Sequence, residues 1–125
     1  MDTGHTPTQA LDESMLGTLA PAIAVPSYER AKLRPAIVHL GVGGFHRAHQ
    51  AVYLDSLAER GITQEWGLCG VGLLPQDKRM EEALLPQHCL YAVVERSAVA
   101  ETARVVGSMG RYLFAPEHRG EVLQA

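Results

Sequence analysis

Apolar residues along the chain gather into short uninterrupted runs, separated by stretches rich in proline, glycine and charge. The first run with strand character is Ala36-Ile37-Val38-His39-Leu40, set between Pro35 and Gly41. It shows no polar alternation, and His39 is its only polar member. A short continuous apolar run between turn residues predicts a strand buried on both faces, as in a parallel sheet. Pro35 suits the position just before strand entry. From about His46 to Arg60 the period changes. At about 100° per residue, Ala48, Ala51, Leu54, Leu57 and Ala58 share one face, with His49, Tyr53, Ser56 and Arg60 opposite. This predicts a helix, with Gly61 as its C-terminal stop. Asp55 falls near the edge of the apolar face and counts against the pattern.

The second apolar run, Trp66 to Leu74, predicts a second parallel strand, ended by Pro75. Its three glycines weaken strand propensity and permit close approach by a backbone or ligand. Asp77 to Leu85 reads as a short helix with Met80, Ala83 and Leu84 inward, stopped by Pro86. Leu90 to Val94 and Ala103 to Val106 are β-rich runs joined by a polar link, to be paired as a hairpin or added to the sheet. Gly107 to Gly110 reads as a turn, and the residues from Pro116 onward as the start of a helix. Upstream, residues 1–14 read as a flexible polar tail, Met15 to Ala24 as a short helix, and Pro26 to Pro35 as charged surface lead-in.

The order strand, glycine turn, helix, strand predicts an α/β fold, the N-terminal part of a doubly wound, Rossmann-type parallel sheet. Residues 1–35 form the tail and lead-in, and 36–125 a partial dinucleotide-binding domain. A complete sheet of this kind needs more strands than these, so the sequence reads as an incomplete domain, with a minimal domain carrying an exposed, aggregation-prone sheet edge as the less favoured alternative.

Composition narrows the partners. The chain has 125 residues, 46% hydrophobic and 20% charged, which suits one packed domain. A formal net charge of -3 supplies no global basic field for nucleic acid or an anionic membrane. No apolar run approaches the roughly 20 residues that span a bilayer. The N-terminus lacks the pattern of a secretory signal, so the expected compartment is the cytoplasm. Cys69 and Cys89 lie in apolar surroundings far apart in sequence and read as reduced, buried thiols.

The glycine turn carries the chemistry. Gly41 and Gly43 fill the first two positions of G-x-G-x-x-G. The first allows a sharp turn out of the strand, and the second lets backbone approach a pyrophosphate with no Cβ in the way. The third position is His46, with Gly44 offering partial compensation. Placement between a buried strand and a helix favours phosphate binding at the helix N-terminus, with a ligand-free strand–helix turn as the alternative. Arg47, a cation in the first helical turn, opposes the helix dipole unless an anion joins it, or else simply faces solvent. A dinucleotide also needs an acid after the second strand for its adenosine ribose. The first such acid is Asp77, whose alternative role is helix N-capping. Lys78 and Arg79 follow it, so NADP stands beside NAD as a candidate. His46 and His49 are spaced to share a metal, but no third ligand is evident nearby, and no metal is expected.

The stretch IVHLGVGGFHRAHQAVYLDSL, Ile37 to Leu57, resembles the signature of the mannitol dehydrogenase family of long-chain polyol dehydrogenases and hexuronate reductases. LAPAIAVPSYER, WGLCGVGLLPQD and QHCLYAVVE resemble the same N-terminal domain, so the likeness runs from about Leu19 to Ala125. The resemblance implies an NAD(P)-dependent oxidoreductase that needs no metal. It would interconvert a sugar alcohol and a ketose, such as mannitol and fructose, or reduce the ketouronates fructuronate or tagaturonate. It implies that Ile37, Val38, His39, Leu40, Gly41, Val42, Gly43, Gly44, Phe45, His46, Arg47 and Ala48 wrap the cofactor pyrophosphate. It further implies that Asp77 binds the adenosine ribose and that His46 belongs to the family's own variant of the motif. The family's general-base lysine, with its companion Asn and His, belongs to a helical C-terminal domain and the region before it. Neither Lys32 nor Lys78 matches it, so no catalytic residue is assigned and this stretch by itself is expected to be inactive.

Overall fold

The computed structural model describes residues 9–125. Of the tail predicted over 1–14, residues 1–8 lie outside the described residues. Asp12 caps a 3-10 turn at Glu13–Met15, its carboxylate accepting from the Ser14 amide at 2.7 Å. A single helical turn, α1 (Leu16–Leu19), follows. It is shorter than the helix predicted over Met15–Ala24, because Ala20 is already extended.

The first strand, β1 (Ile37–Leu40), and the second, β2 (Leu68–Gly72), form where the apolar runs predict them. β2 is shorter than its run. Trp66 is exposed, and Leu73 and Leu74 bend off the sheet into a 3-10 turn at Pro75–Asp77. The predicted single helix is two: α2 (Gly44–Ala48) and α3 (Gln50–Glu59), broken at His49 with φ −124° and ψ −85°. The His49 ring causes the break. Its Nδ1 donates to the Phe45 carbonyl at 2.7 Å, the acceptor a continuous helix would give to the His49 amide. The amide turns to the His46 carbonyl at 3.3 Å instead. As a result Ala48, predicted inward, is exposed, and His46 is the buried member of α2. Gly61 ends the segment in the left-handed region at φ +69°, the stop expected of it.

After α4 (Lys78–Leu84), β3 (Tyr91–Arg96) and β4 (Glu101–Val106) pair antiparallel as a hairpin, standing apart from the main sheet. The turn predicted over Gly107 to Gly110 is confined to Gly107 and Ser108, because Met109 and Gly110 already belong to β5 (Met109–Phe114), which runs parallel to β2. The register passes from Leu68↔Met109 to Cys69↔Arg111, so Gly110 is the extra residue of a bulge. A short helix, α5 (Arg119–Gln124), closes the described chain. The sheet order is β1-β2-β5, all parallel, the arrangement of one half of a doubly wound α/β fold.

Both faces of this sheet are covered. On one, Leu68, Met109 and Tyr112 pack with Ala51 of α3, Leu84 of α4 and Tyr91 and Val106 of the hairpin. On the other, Cys69, Val71 and Leu113 pack with Val38 and with Val122 of α5. The glycines inside β2 answer to this packing rather than to a ligand. A Cβ on Gly70 would come within 2.7 Å of Val42 Cγ2 and 3.0 Å of Met109 Sδ.

Buried polar groups tie the lead-in to the sheet. Asp55, 2% exposed, accepts from the Tyr28 hydroxyl at 2.5 Å, from the Gly107 amide at 2.9 Å and from the Arg104 guanidinium. Its place near the apolar face of α3 is therefore a fully partnered buried carboxylate. Arg30 bonds the carbonyls of Gly107, His88 and Met109, each at 2.9 Å. Among the described residues no helix is long and apolar enough to cross a membrane.

Candidate functional site

Parallel strands present their carboxyl ends together, so β1 and β2 open onto one edge of the sheet. Leu40 stands opposite Val71, and the Gly41 amide continues the ladder to the Val71 carbonyl at 2.8 Å. Gly41 then turns the chain at φ +85°, a conformation that costs a residue with a Cβ roughly 1–2 kcal/mol. Val42 drops into the core, 9% exposed, and anchors the turn from below. Above it the backbone is open. A Cβ at Gly41 or Gly43 would meet nothing within 4 Å. The amides of Val42, Gly43, Gly44, Phe45 and His46 have no acceptor among the described residues. Consecutive free N–H groups on a turn are the donors that cradle a phosphate.

Beside the turn lies a cavity of about 360 Å³, lined by His39, Gly41, Gly43, Phe45, His46 and Gln50. Gln50 is the lining residue absent from the sequence-derived set. It reaches the cavity because the break at His49 starts a second helix there. The His39 and His46 rings stack with centroids 3.5 Å apart. Both nitrogens of the buried His46 ring lack a hydrogen-bond partner among the described residues. Burial holds its pKa below the ordinary histidine value. The neighbouring His39 and Arg47 add to that, and nearby Gln50 opposes it without reaching hydrogen-bond geometry.

The remaining residues of the turn have other partners. Phe45 is exposed and stacks on His49 at 4.1 Å. Arg47 lies over the Tyr91 ring, 5.8 Å from its centroid, and its Nε donates to the Gly43 carbonyl at 3.3 Å. The Tyr91 hydroxyl in turn donates to the Arg47 carbonyl at 2.7 Å. A place over the Tyr91 ring thus accounts for a cation in this turn without a bound anion. Ile37 and Val38 pack into the two cores, and Leu40 is exposed at the end of β1.

Asp77 sits at the same edge, in the turn after β2. Its Oδ2 accepts from the Leu73 amide at 3.0 Å and the Leu74 amide at 2.9 Å. The carboxylate therefore faces back toward the strand end. It makes no side-chain cap to α4, the capping role considered from sequence. Oδ1 accepts nothing among the described residues and is available to a ligand hydroxyl. Asp77 does not line the 360 Å³ cavity, so the two features mark separate ends of one edge.

His46 and His49 are not brought together as ligands, since the His49 ring is turned to Phe45. Glu81, Glu117 and His118 do place ligand atoms within 4.8 Å of one another. The Lys78 ammonium already occupies that cluster, 2.6 Å from Glu81 and 2.9 Å from Glu117.

Comparison with known proteins places this geometry. Residues 35–125 match the family model described as the mannitol dehydrogenase Rossmann domain. The chain is 49% identical over 102 residues to a mannitol 2-dehydrogenase of Pyricularia oryzae, covering 82% of this chain and 20% of the relative. It is 52% identical over 103 residues to one of Aspergillus clavatus, covering 81% and 20%. Among solved structures it superposes on Pseudomonas fluorescens mannitol 2-dehydrogenase in ternary complex with NAD and D-mannitol. There the TM-score is 0.88 and the identity 37%, over 93% of this chain and 24% of the other. A substrate-free D-sorbitol dehydrogenase gives a TM-score of 0.84 at 34% identity, over the same shares. The chain thus spans about a fifth of the length of the curated relatives it matches. With its parallel β1-β2-β5 half-sheet and the glycine turn at its edge, the chain belongs to the mannitol dehydrogenase family, within that family's Rossmann domain.

Proposed function

We propose that this chain supplies the NAD-binding part of an oxidoreductase that interconverts a polyol and a ketose of the mannitol and fructose type. The observation that carries the reading is the run of unpartnered amides from Val42 to His46 at the carboxyl edge of the sheet. A pyrophosphate there would accept from those N–H groups, at the position where doubly wound sheets bind nucleotides. Asp77 Oδ1 would accept from an adenosine ribose hydroxyl, while Oδ2 stays on the Leu73 and Leu74 amides and fixes the carboxylate. The cavity by His39, His46 and Gln50 lies at the other end of the turn and would face the nicotinamide half.

When bound, the cofactor supplies the redox chemistry by accepting or donating hydride. The residues of this chain bind and orient it. The groups that move the hydroxyl proton and hold the sugar belong, in this reading, to parts of the protein beyond this stretch.

Calorimetric titration of the chain with NAD and NADP tests the proposal. Saturable NAD binding is expected. Asp77→Ala should weaken NAD about tenfold, the scale of one hydrogen bond to a charged group, and NADP less. Asp77→Asn, which keeps an acceptor for the Leu73 and Leu74 amides, controls for folding. Equal loss for both cofactors would overturn the ribose role of Asp77.

A further inference from the structure

Lys78 follows Asp77 directly, in the first turn of α4 and at the same edge of the sheet. A lysine beside a ribose-binding acid is chemically suited to a 2′-phosphate. Its charge and donors, however, are already taken. Nζ donates to Glu81 Oε1 at 2.6 Å and to Glu117 at 2.9 and 3.1 Å, and it lies 5.3 Å from the centre of the Phe114 ring. The carboxylates come from different elements: Glu81 from the next turn of α4, 8% exposed at its side chain, and Glu117 from the loop after β5, 51% exposed. His118 Nδ1 lies 3.9 Å from the second Glu81 oxygen and donates instead to the Phe114 carbonyl at 3.2 Å. Lys78, Glu81 and Glu117 together carry one positive and two negative charges, so the trio presents net negative potential to anything approaching Asp77.

We propose that Glu81 and Glu117 are specificity-determining residues. By holding Lys78 between them they withhold the cation that a 2′-phosphate would need beside Asp77, and so bias the site toward NAD and against NADP. The proposal rests on the reading of Asp77 as the ribose acid. Lys78 itself is 38% exposed at its side chain, so it is restrained by its partners and not by burial. Removing those partners releases a flexible ammonium next to the position of the 2′-oxygen. Arg79, one position on, is exposed and makes no ion pair among the described residues, which makes it the competing source of any new phosphate contact.

The test is titration of the chain and its variants with NAD and NADP. Glu117→Gln is a half-exposed change that leaves the buried Glu81 in place, and it should raise NADP affinity about threefold. Glu81→Gln combined with Glu117→Gln should raise it about tenfold, the scale of one charge-assisted contact to phosphate. NAD affinity should stay within about twofold in both, since neither glutamate touches the proposed ribose site. Adding Lys78→Gln should erase the gain. A gain that survives Lys78→Gln would overturn the proposal, assigning it to Arg79 or to lost negative charge alone. NADP affinity unchanged in Glu117→Gln and in the double variant, with NAD still bound, would overturn it as well. If the double variant fails to fold, Glu117→Gln decides by itself. Failure of the unaltered chain to bind either cofactor would instead remove the ribose reading, and this inference with it.

Discussion

The imidazole of His39, at the end of β1, lies flat on that of His46, in α2, with centroids 3.5 Å apart and planes 9° from parallel. The pair bridges the glycine turn, so the two arms of the turn are braced side chain to side chain. It also sets a charge condition. Burial, the second ring and Arg47 all disfavour a proton on His46.

Acid should therefore loosen this turn. The folded chain holds His46 below the ordinary value of about 6.5, so on acidification the unfolded chain takes up the proton first. The contribution of His46 to stability is complete above about pH 6.5 and is lost as pH falls from there toward the folded value, at up to about 1.4 kcal/mol per pH unit. Urea unfolding midpoints at pH 7.5 and 5.5 measure this. His46→Gln should show the shallower pH dependence, and identical slopes would contradict the assignment.

Gly41 and Gly43 should separate stability from binding. Gly41→Ala places a Cβ at φ +85° and should cost roughly 1–2 kcal/mol of stability. Gly43 has an ordinary φ of −111° and open space before it, so Gly43→Ala should leave the melting temperature nearly unchanged. Its new methyl would occupy the approach to the free amides and should weaken NAD by tenfold or so. Thermal melts and calorimetric titration of both variants check the split. A large drop in melting temperature for Gly43→Ala would argue against it.

Asp55→Ala should be the most damaging of these changes. It strips partners from the Tyr28 hydroxyl, the Gly107 amide and the Arg104 guanidinium at once. Removing one side of a buried hydrogen-bonded ion pair costs about 3–5 kcal/mol, and Arg104, partly exposed, moves the expectation to the low end. Chemical denaturation of wild type and variant measures it, and a loss under about 1 kcal/mol would show that water replaces the network.

Both thiols should be inert in the folded chain. Cys69 and Cys89 are buried and unpaired, and burial raises both pKa values, that of Cys89 to about 11. Since thiolate is the reactive form, iodoacetamide at pH 8 should label neither until denaturant is added. Rapid labelling of the native chain, followed by mass spectrometry, would contradict their placement.

What the sequence made legible follows from what is local. Ala36–Leu40 and the glycine turn could be placed because an uninterrupted apolar run and a glycine pair report strand and turn directly. The burial on both faces that the run predicts is not met: Ile37, Val38 and His39 are half-buried and Leu40 is exposed. β5 could not be placed, because Gly107 and Gly110 flank its start and the strand character of Met109 arises from pairing with a β2 residue 41 positions earlier (Leu68↔Met109). The break at His49 comes from one side chain taking a backbone acceptor, which periodicity does not register. Asp55 was visible as a misfit in its helix. The three donors that settle it lie at Tyr28, Arg104 and Gly107, far away along the chain. Lys78 could be seen beside Asp77, whereas its capture by Glu117, 39 residues downstream, exists only in the folded chain.

The position of β2 between β1 and β5 has a dynamic consequence. A strand hydrogen-bonded on both sides can release its amides to solvent only when a neighbour leaves. β1, paired on one side among the described residues, needs no such event for its outward amides. In a hydrogen–deuterium exchange experiment Leu68–Gly72 should form the slowest-exchanging segment, with β1 exchanging in alternation along its length. The glycine turn thus grows out of a strand paired directly to the most protected strand of the sheet, so its open backbone can adjust to a ligand while the β2 ladder beneath it stays closed.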